Sequence, residues 1–159
     1  MTEDWQAEGG CACGKVRYRL NGRPILVNNC HCSLCRRQTG TGSAVNAFIE
    51  SERLEQLSGD LSSHEVGTGS GGIQTIMRCA SCGTPMWSYY PRLGKRAAAV
   101  RVGTLDDPSA LKPDAAIFVA DKPHWAPLPE GVPAFDQFYN PAALLPPERL
   151  ERFRALLQQ

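Results

Sequence analysis

Residues 30–40 read CHCSLCRRQTG. Cys30, Cys32 and Cys35 combine a CxC and a CxxC spacing, and whatever holds these three sulfurs decides what kind of fold the chain can have. A disulfide framework, a closed metal clip and an open metal site each demand different partners elsewhere. The chain has 159 residues and seven cysteines, and an odd count leaves one thiol over in any disulfide scheme. The first ten residues, MTEDWQAEGG, start acidic and lack an apolar h-region. The expected compartment is therefore the cytoplasm, where thiols stay reduced. Metal binding is the leading reading.

The other four cysteines form two pairs, Cys11-Ala-Cys13 followed by Gly14 and Cys79-Ala-Ser-Cys82 followed by Gly83. A short turn of this kind sets two sulfurs one tetrahedral edge apart, and glycine after the second permits the positive φ that curls the backbone around a metal. Each pair is half a tetrahedron. Joined, Cys11, Cys13, Cys79 and Cys82 make a closed structural zinc site, the kind that contributes folding energy. Cys30, Cys32 and Cys35 then remain as three ligands on one loop with a fourth position open, the usual form of a catalytic zinc. His31 lies between two of them, and in an extended CxC its side chain points the other way. His31, His64 and His124 are expected to be surface or hydrogen-bonded histidines and not ligands.

The remaining composition narrows the class. With 42% hydrophobic and 21% charged residues, the chain reads as a single globular domain over residues 1–159. No stretch approaches the roughly 20 apolar residues of a membrane span. A net charge of +1 argues against a nucleic-acid partner, which calls for a clearly basic face. Lys15, Arg17 and Arg19 alternate with Val16, Tyr18 and Leu20, which is the pattern of a strand with one solvated side.

Period-two alternation broken by glycine and proline predicts short strands near residues 15–20, 43–49, 61–66, 73–78, 86–90, 97–102 and 115–119, with helical turns at 51–57. The GTGSGG run at 67–72 lacks the Lys-Ser/Thr pair of a phosphate loop and reads as a hairpin connection. Residues 121–147 are proline-rich but carry Trp125, Phe135, Phe138 and Tyr139, so an ordered arm packed on the body is expected. A helix follows over 146–158, with an apolar stripe at Leu150, Phe153, Leu156 and Leu157. The predicted fold class is mostly β, short antiparallel strands stapled by zinc with a C-terminal helix.

GGCACGKVRY, CHCSLCRRQTG, CASCGTPMW, VGTLDDP and HWAPLPEGVPAF, in that order over about residues 8–135, together resemble the glutathione-dependent formaldehyde-activating enzyme family, also known as the centromere protein V domain. The sequence departs from that pattern at IQTIMR, where the family often carries an aromatic just before its cysteine. The resemblance implies an Mss4-like β architecture with two zinc ions per chain. Cys11, Cys13, Cys79 and Cys82 match its structural ligands, and Cys30, Cys32 and Cys35 match the second, catalytic site. It further implies a carbon–sulfur lyase acting on glutathione and formaldehyde, forming or cleaving S-hydroxymethylglutathione.

Three thiolates and a zinc dication sum to a charge of about −1, and a substrate thiol entering the open position would be deprotonated there. Arg36 and Arg37 follow the last cysteine; they either orient an anionic thiol substrate through its carboxylates, or offset the thiolate charge or face solvent. Trp125 and Phe135 are candidates for pocket lining or for core packing. Two readings of other classes stay open: a glutathione or thiol carrier without catalysis, and a zinc-stapled interaction domain.

Overall fold

The computed structural model describes residues 4–159. Among these the strands are β1 (Gln6–Gly10), β2 (Arg17–Asn21), β3 (Leu26–Cys30), β4 (Ala44–Glu50), β5 (Leu54–Ser58), β6 (Leu61–Gly67), β7 (Ile73–Cys79), β8 (Pro85–Tyr89), β9 (Ala97–Arg101) and β10 (Ala115–Ile117). The α-helices are α1 (Ser33–Thr39), α2 (Pro141–Leu144) and α3 (Pro147–Leu157). β1, β2 and β5 form a three-stranded sheet, and β10-β3-β4-β9-β8-β7-β6 a seven-stranded one. The fold is mostly β, with a C-terminal helix, and no helix of the described residues is long and apolar enough to cross a membrane.

The alternation in β2 does what its pattern predicts. Tyr18 and Leu20 are wholly buried, while Arg17 pairs with Asp106 and Arg19 with Glu8 on the other side. The buried face packs on Ala47, Ile49, Met86, Trp87 and Val100 of the large sheet, with the Tyr18 and Trp87 rings edge to face at 5.7 Å. This shared core holds the two sheets together. The GTGSGG run closes the β6–β7 hairpin, with Thr68 N–H bonded to the Gly72 carbonyl at 2.8 Å.

Several elements depart from the sequence-based reading. β3 was hidden by its own residues, LVNNC, because Asn is depleted in strands and favoured in turns. In the fold it lies between β10 and β4, where Tyr139 donates to Asn28 Oδ1 at 2.8 Å and Asn29 Nδ2 donates to Ser43 at 2.9 Å. Residues 51–57, expected as helical turns, keep one 3-10 turn (Ser51–Arg53) and then extend as β5. Pairing with β2 through Leu54 and Leu20 outweighs the helix propensity of Leu, Glu and Gln. β10 runs parallel to β3, the exception in an otherwise antiparallel set. The chain reaches it only after the long excursion through β4–β9, which frees it from hairpin geometry.

The arm at 121–147 is ordered along β10, where Ala116 and Phe135 exchange backbone contacts with residues across the strand edge. α3 packs Leu156 onto Ile25, Leu26, Leu93 and Ala97, with Leu150 and Phe153 beside it. Two bidentate pairs fix it: Arg149 on Asp114 at 3.0 Å, and Arg152 on Glu50 at 2.7 and 2.6 Å. Burial alone would raise the Glu50 pKa, but the Arg152 hydrogen bonds and charge hold it below the usual carboxylate value. The stabilisation is therefore complete above the unfolded carboxylate pKa and is lost as pH falls through the lower folded value. Glu50→Gln is expected to cost about 1–3 kcal/mol at neutral pH. Urea midpoints of parent and variant should converge in acid below the folded value; a gap that persists there would show that Glu50 acts by packing alone.

Candidate metal centres

The loop between β1 and β2 carries Cys11 and Cys13, Cys79 ends β7, and the turn on to β8 carries Cys82. Their four sulfurs lie within 4.8 Å of one another. A tetrahedron with metal–sulfur bonds of about 2.3 Å sets sulfurs about 3.8 Å apart, and Cys11–Cys13 and Cys13–Cys79 stand at 3.5 and 3.8 Å. Gly14 and Gly83 both have φ of 78°, which curls each turn so that amides point at sulfur: Val16 N–H donates to Cys11 at 3.3 Å, and the Ser81 and Cys82 amides to Cys79 at 3.4 Å. Hydrogen bonding from Thr84, 3.1 Å from Cys82 Sγ, pushes that thiol down to about 5. The donor set fits zinc, and it ties the small sheet to the large one.

The second group is Cys30, Cys32 and Cys35, again with all sulfurs within 4.8 Å. Cys30 ends β3, Cys32 is the N-cap of α1, and Cys35 lies in its first turn. Sequence reasoning missed α1 because seven residues are too short for a clear period. Its signals were Cys32, whose sulfur accepts the Cys35 amide at 3.3 Å, and Gly40, left-handed at φ 67°. Cys30 and Cys35 are buried and Cys32 is half-buried, so the group faces outward through Cys32. Hydrogen bonds from Cys30 and Cys32 push the Cys35 thiol down, with Arg101 and Asn46 adding to the effect. Hydrogen bonding to Cys32 and Cys35 pushes Cys30 far up. Tyr90 Oη lies 3.9 Å from Cys35 Sγ; burial and the Cys35 charge raise its phenol, so it remains a donor.

Among the described residues no histidine joins either group. His31 is wholly buried, with Nε2 2.7 Å from Asn29 Oδ1, and burial lowers its pKa. His64 and His124 are exposed. Arg36 and Arg37 occupy the last turn of α1, where cations complement the helix dipole; Arg37 is exposed and Arg36 half-buried. Trp125 is 74% exposed, whereas Phe135 packs against the cluster that contains Cys30 and Cys35.

The buried cation linked to the sulfurs through an intervening amide is one the sequence reading passed over. Arg101, buried at the end of β9, donates to Asn46 Oδ1 and to Gln38 Oε1, and Asn46 Nδ2 donates to Cys35 Sγ at 3.6 Å. Arg101 and Gln38 also line a cleft of about 600 Å³ with Thr39, Thr41, Ser43 and Thr104. Its available signal was position: a charged residue closing AAAVR, a strand otherwise all small and apolar. Another cleft, of about 480 Å³, lies under α3, but Arg149 and Arg152 there are committed to holding the helix.

A family model described as glutathione-dependent formaldehyde-activating enzyme matches residues 6–121, which leaves the HWAPLPEGVPAF run beyond its end. A curated Halomonas elongata protein, provisionally named as a glutathione-dependent formaldehyde-activating enzyme, is 33% identical over 91 residues. The match covers 54% of this chain and 57% of that protein, so the chain spans little more than half of this relative. A crystal structure of a Rhodobacter sphaeroides protein superposes with a TM-score of 0.51 at 23% identity, covering 80% of this chain and 99% of that one. That likeness is one of fold.

Proposed function

The chain belongs to the glutathione-dependent formaldehyde-activating enzyme family, and from that premise we propose that it is a zinc-dependent carbon–sulfur lyase that joins a small thiol such as glutathione to formaldehyde, or cleaves the adduct. The observation that carries this reading is the group of three sulfurs at the start of α1, with no fourth protein ligand among the described residues and with Cys32 only half-buried. Two zinc ions per chain follow, a closed one at Cys11, Cys13, Cys79 and Cys82 and a catalytic one at Cys30, Cys32 and Cys35. Zinc bound at the three-cysteine group supplies Lewis acidity that keeps an incoming thiol deprotonated at neutral pH.

The protein's own groups set up the rest. The Cys35 amide and Asn46 hold charge on the sulfurs, and the half-buried Cys32 marks the side from which a thiol enters. Arg36 and Arg37 serve to orient the carboxylates of an anionic thiol. In the forward direction a C–S bond forms between substrate sulfur and aldehyde carbon, the C=O π bond opens, and the proton lost from the thiol ends on the new hydroxyl. The reverse step returns it. Such chemistry belongs to a reducing compartment, here the cytoplasm.

Exchange NMR of glutathione with formaldehyde is the test. Turnover well above the spontaneous rate at saturating glutathione is expected; a rate equal to the spontaneous one would leave a thiol carrier in place of a lyase. In the same assay, an unchanged KM in both Arg36→Ala and Arg37→Ala would remove their orienting role.

A further inference from the structure

Arg101 is 4% exposed, and a guanidinium does not lose its proton in a protein. A buried charge is strongly unfavourable unless an opposite charge faces it. Yet no ion pair joins Arg101 to a carboxylate among the described residues. Its hydrogen bonds go to neutral amide oxygens of Asn46 and Gln38, and its Nε is buried without a partner. The anionic group within reach of this network is the sulfur cluster.

The connection is rigid. Asn46 accepts from Arg101 through Oδ1 and donates through Nδ2 to Cys35 Sγ at 3.6 Å. Gln38, three residues past Cys35 on α1, holds the other side of the guanidinium at 2.5 Å and is itself fixed by Gln74 at 2.8 Å. The relay thus crosses α1, β4, β9 and β7. The four-cysteine centre is arranged differently: its Cys13 and Cys82 are exposed, so water screens its charge, and the nearby Lys15 and Arg78 donate to Ser81 and to the Gly83 carbonyl.

We infer that Arg101 is the counter-ion of the three-cysteine centre, a positioning residue whose charge, relayed through Asn46, balances the formal charge of about −1 left when three thiolates bind a divalent metal. This rests on the metal reading of that centre.

Zinc alone, withdrawn from the loaded protein by a chromogenic chelator, is the probe. The parent is expected to release it in two phases, the three-cysteine centre first because it has fewer protein sulfurs. Arg101→Gln is expected to weaken the first-released ion by about 10–100-fold, the usual effect of losing an outer partner of a ligand, with the second phase unmoved. Arg101→Lys, which keeps the charge, is expected to recover most of that loss. Gln38→Glu, which sets a competing carboxylate on the guanidinium, is expected to weaken the first phase as well. Parental first-phase affinity in Arg101→Gln overturns the inference, as does Arg101→Lys binding no better than Arg101→Gln. Should Arg101→Gln lose both phases and so its fold, Gln38→Glu decides, and an unmoved first phase there overturns it. A parent that releases a single ion removes the metal reading itself and the inference with it, an outcome distinct from two-phase release that ignores Arg101.

Discussion

Cys79→Ser is expected to abolish cooperative folding. Cys79 is buried and accepts two backbone amides at 3.4 Å, and with Cys13 it spans 66 residues of chain. Closing a loop of that length removes roughly 4 kcal/mol of unfolded-state entropy by analogy with a disulfide cross-link. Metal binding adds to this, since structural zinc contributes on the order of 10 kcal/mol to the folded state and a whole domain has only about 5–15 kcal/mol in hand. The site also joins the two sheets, whose contact is otherwise the core around Tyr18 and Trp87. Urea unfolding followed by circular dichroism, with and without chelator, reads the effect. A sharp transition at the parental midpoint in Cys79→Ser would mean that the sheets hold together without the clip, and that the site is incidental to folding.

Cys32→Ala is expected to do the opposite: the chain stays folded, loses one of two zinc ions and turns over no faster than the spontaneous reaction. Cys32 is the half-buried sulfur of its group and caps only the seven-residue α1. Loss of that cap costs about 1 kcal/mol, well within the stability of a domain. Two ligands, Cys30 and Cys35, cannot hold a metal that three held openly. Metal content per chain, thermal unfolding and the exchange assay together check the expectation. If Cys32→Ala unfolds as Cys79→Ser does, the loop is a second structural clip and the proposed catalysis has no centre.

The parts of this protein that were readable in advance share one property: they depend on residues close in sequence. The CxC and CxxC turns, each followed by a glycine that takes φ of 78°, are local geometry, and so is the division of the cysteines into four and three that spacing suggested and the sulfurs display. The outward arginines of β2 and the apolar stripe of α3 are periodic patterns, legible for the same reason. β3 and β5 were not, because what makes them strands is the company they keep. Asn28 and Asn29 carry no strand signal until Tyr139, 111 residues away, and Ser43 bond to them; residues 51–57 read as helical turns, yet 54–57 pair with β2.

By itself, then, the sequence determined the two sulfur groups, the mostly β class and the family. Only the tertiary structure brought Arg101 into the hydrogen-bond network of Cys35. Arg36 and Arg37 stand beside Cys35 in the chain, but helical geometry sets them in the last turn of α1, while Arg101 arrives from β9, 55 residues from Asn46 and 63 from Gln38. A metal turn is written in short-range backbone geometry, whereas a buried charge finds its partner across the core. Such pairings exist only once strands distant in sequence have been laid side by side.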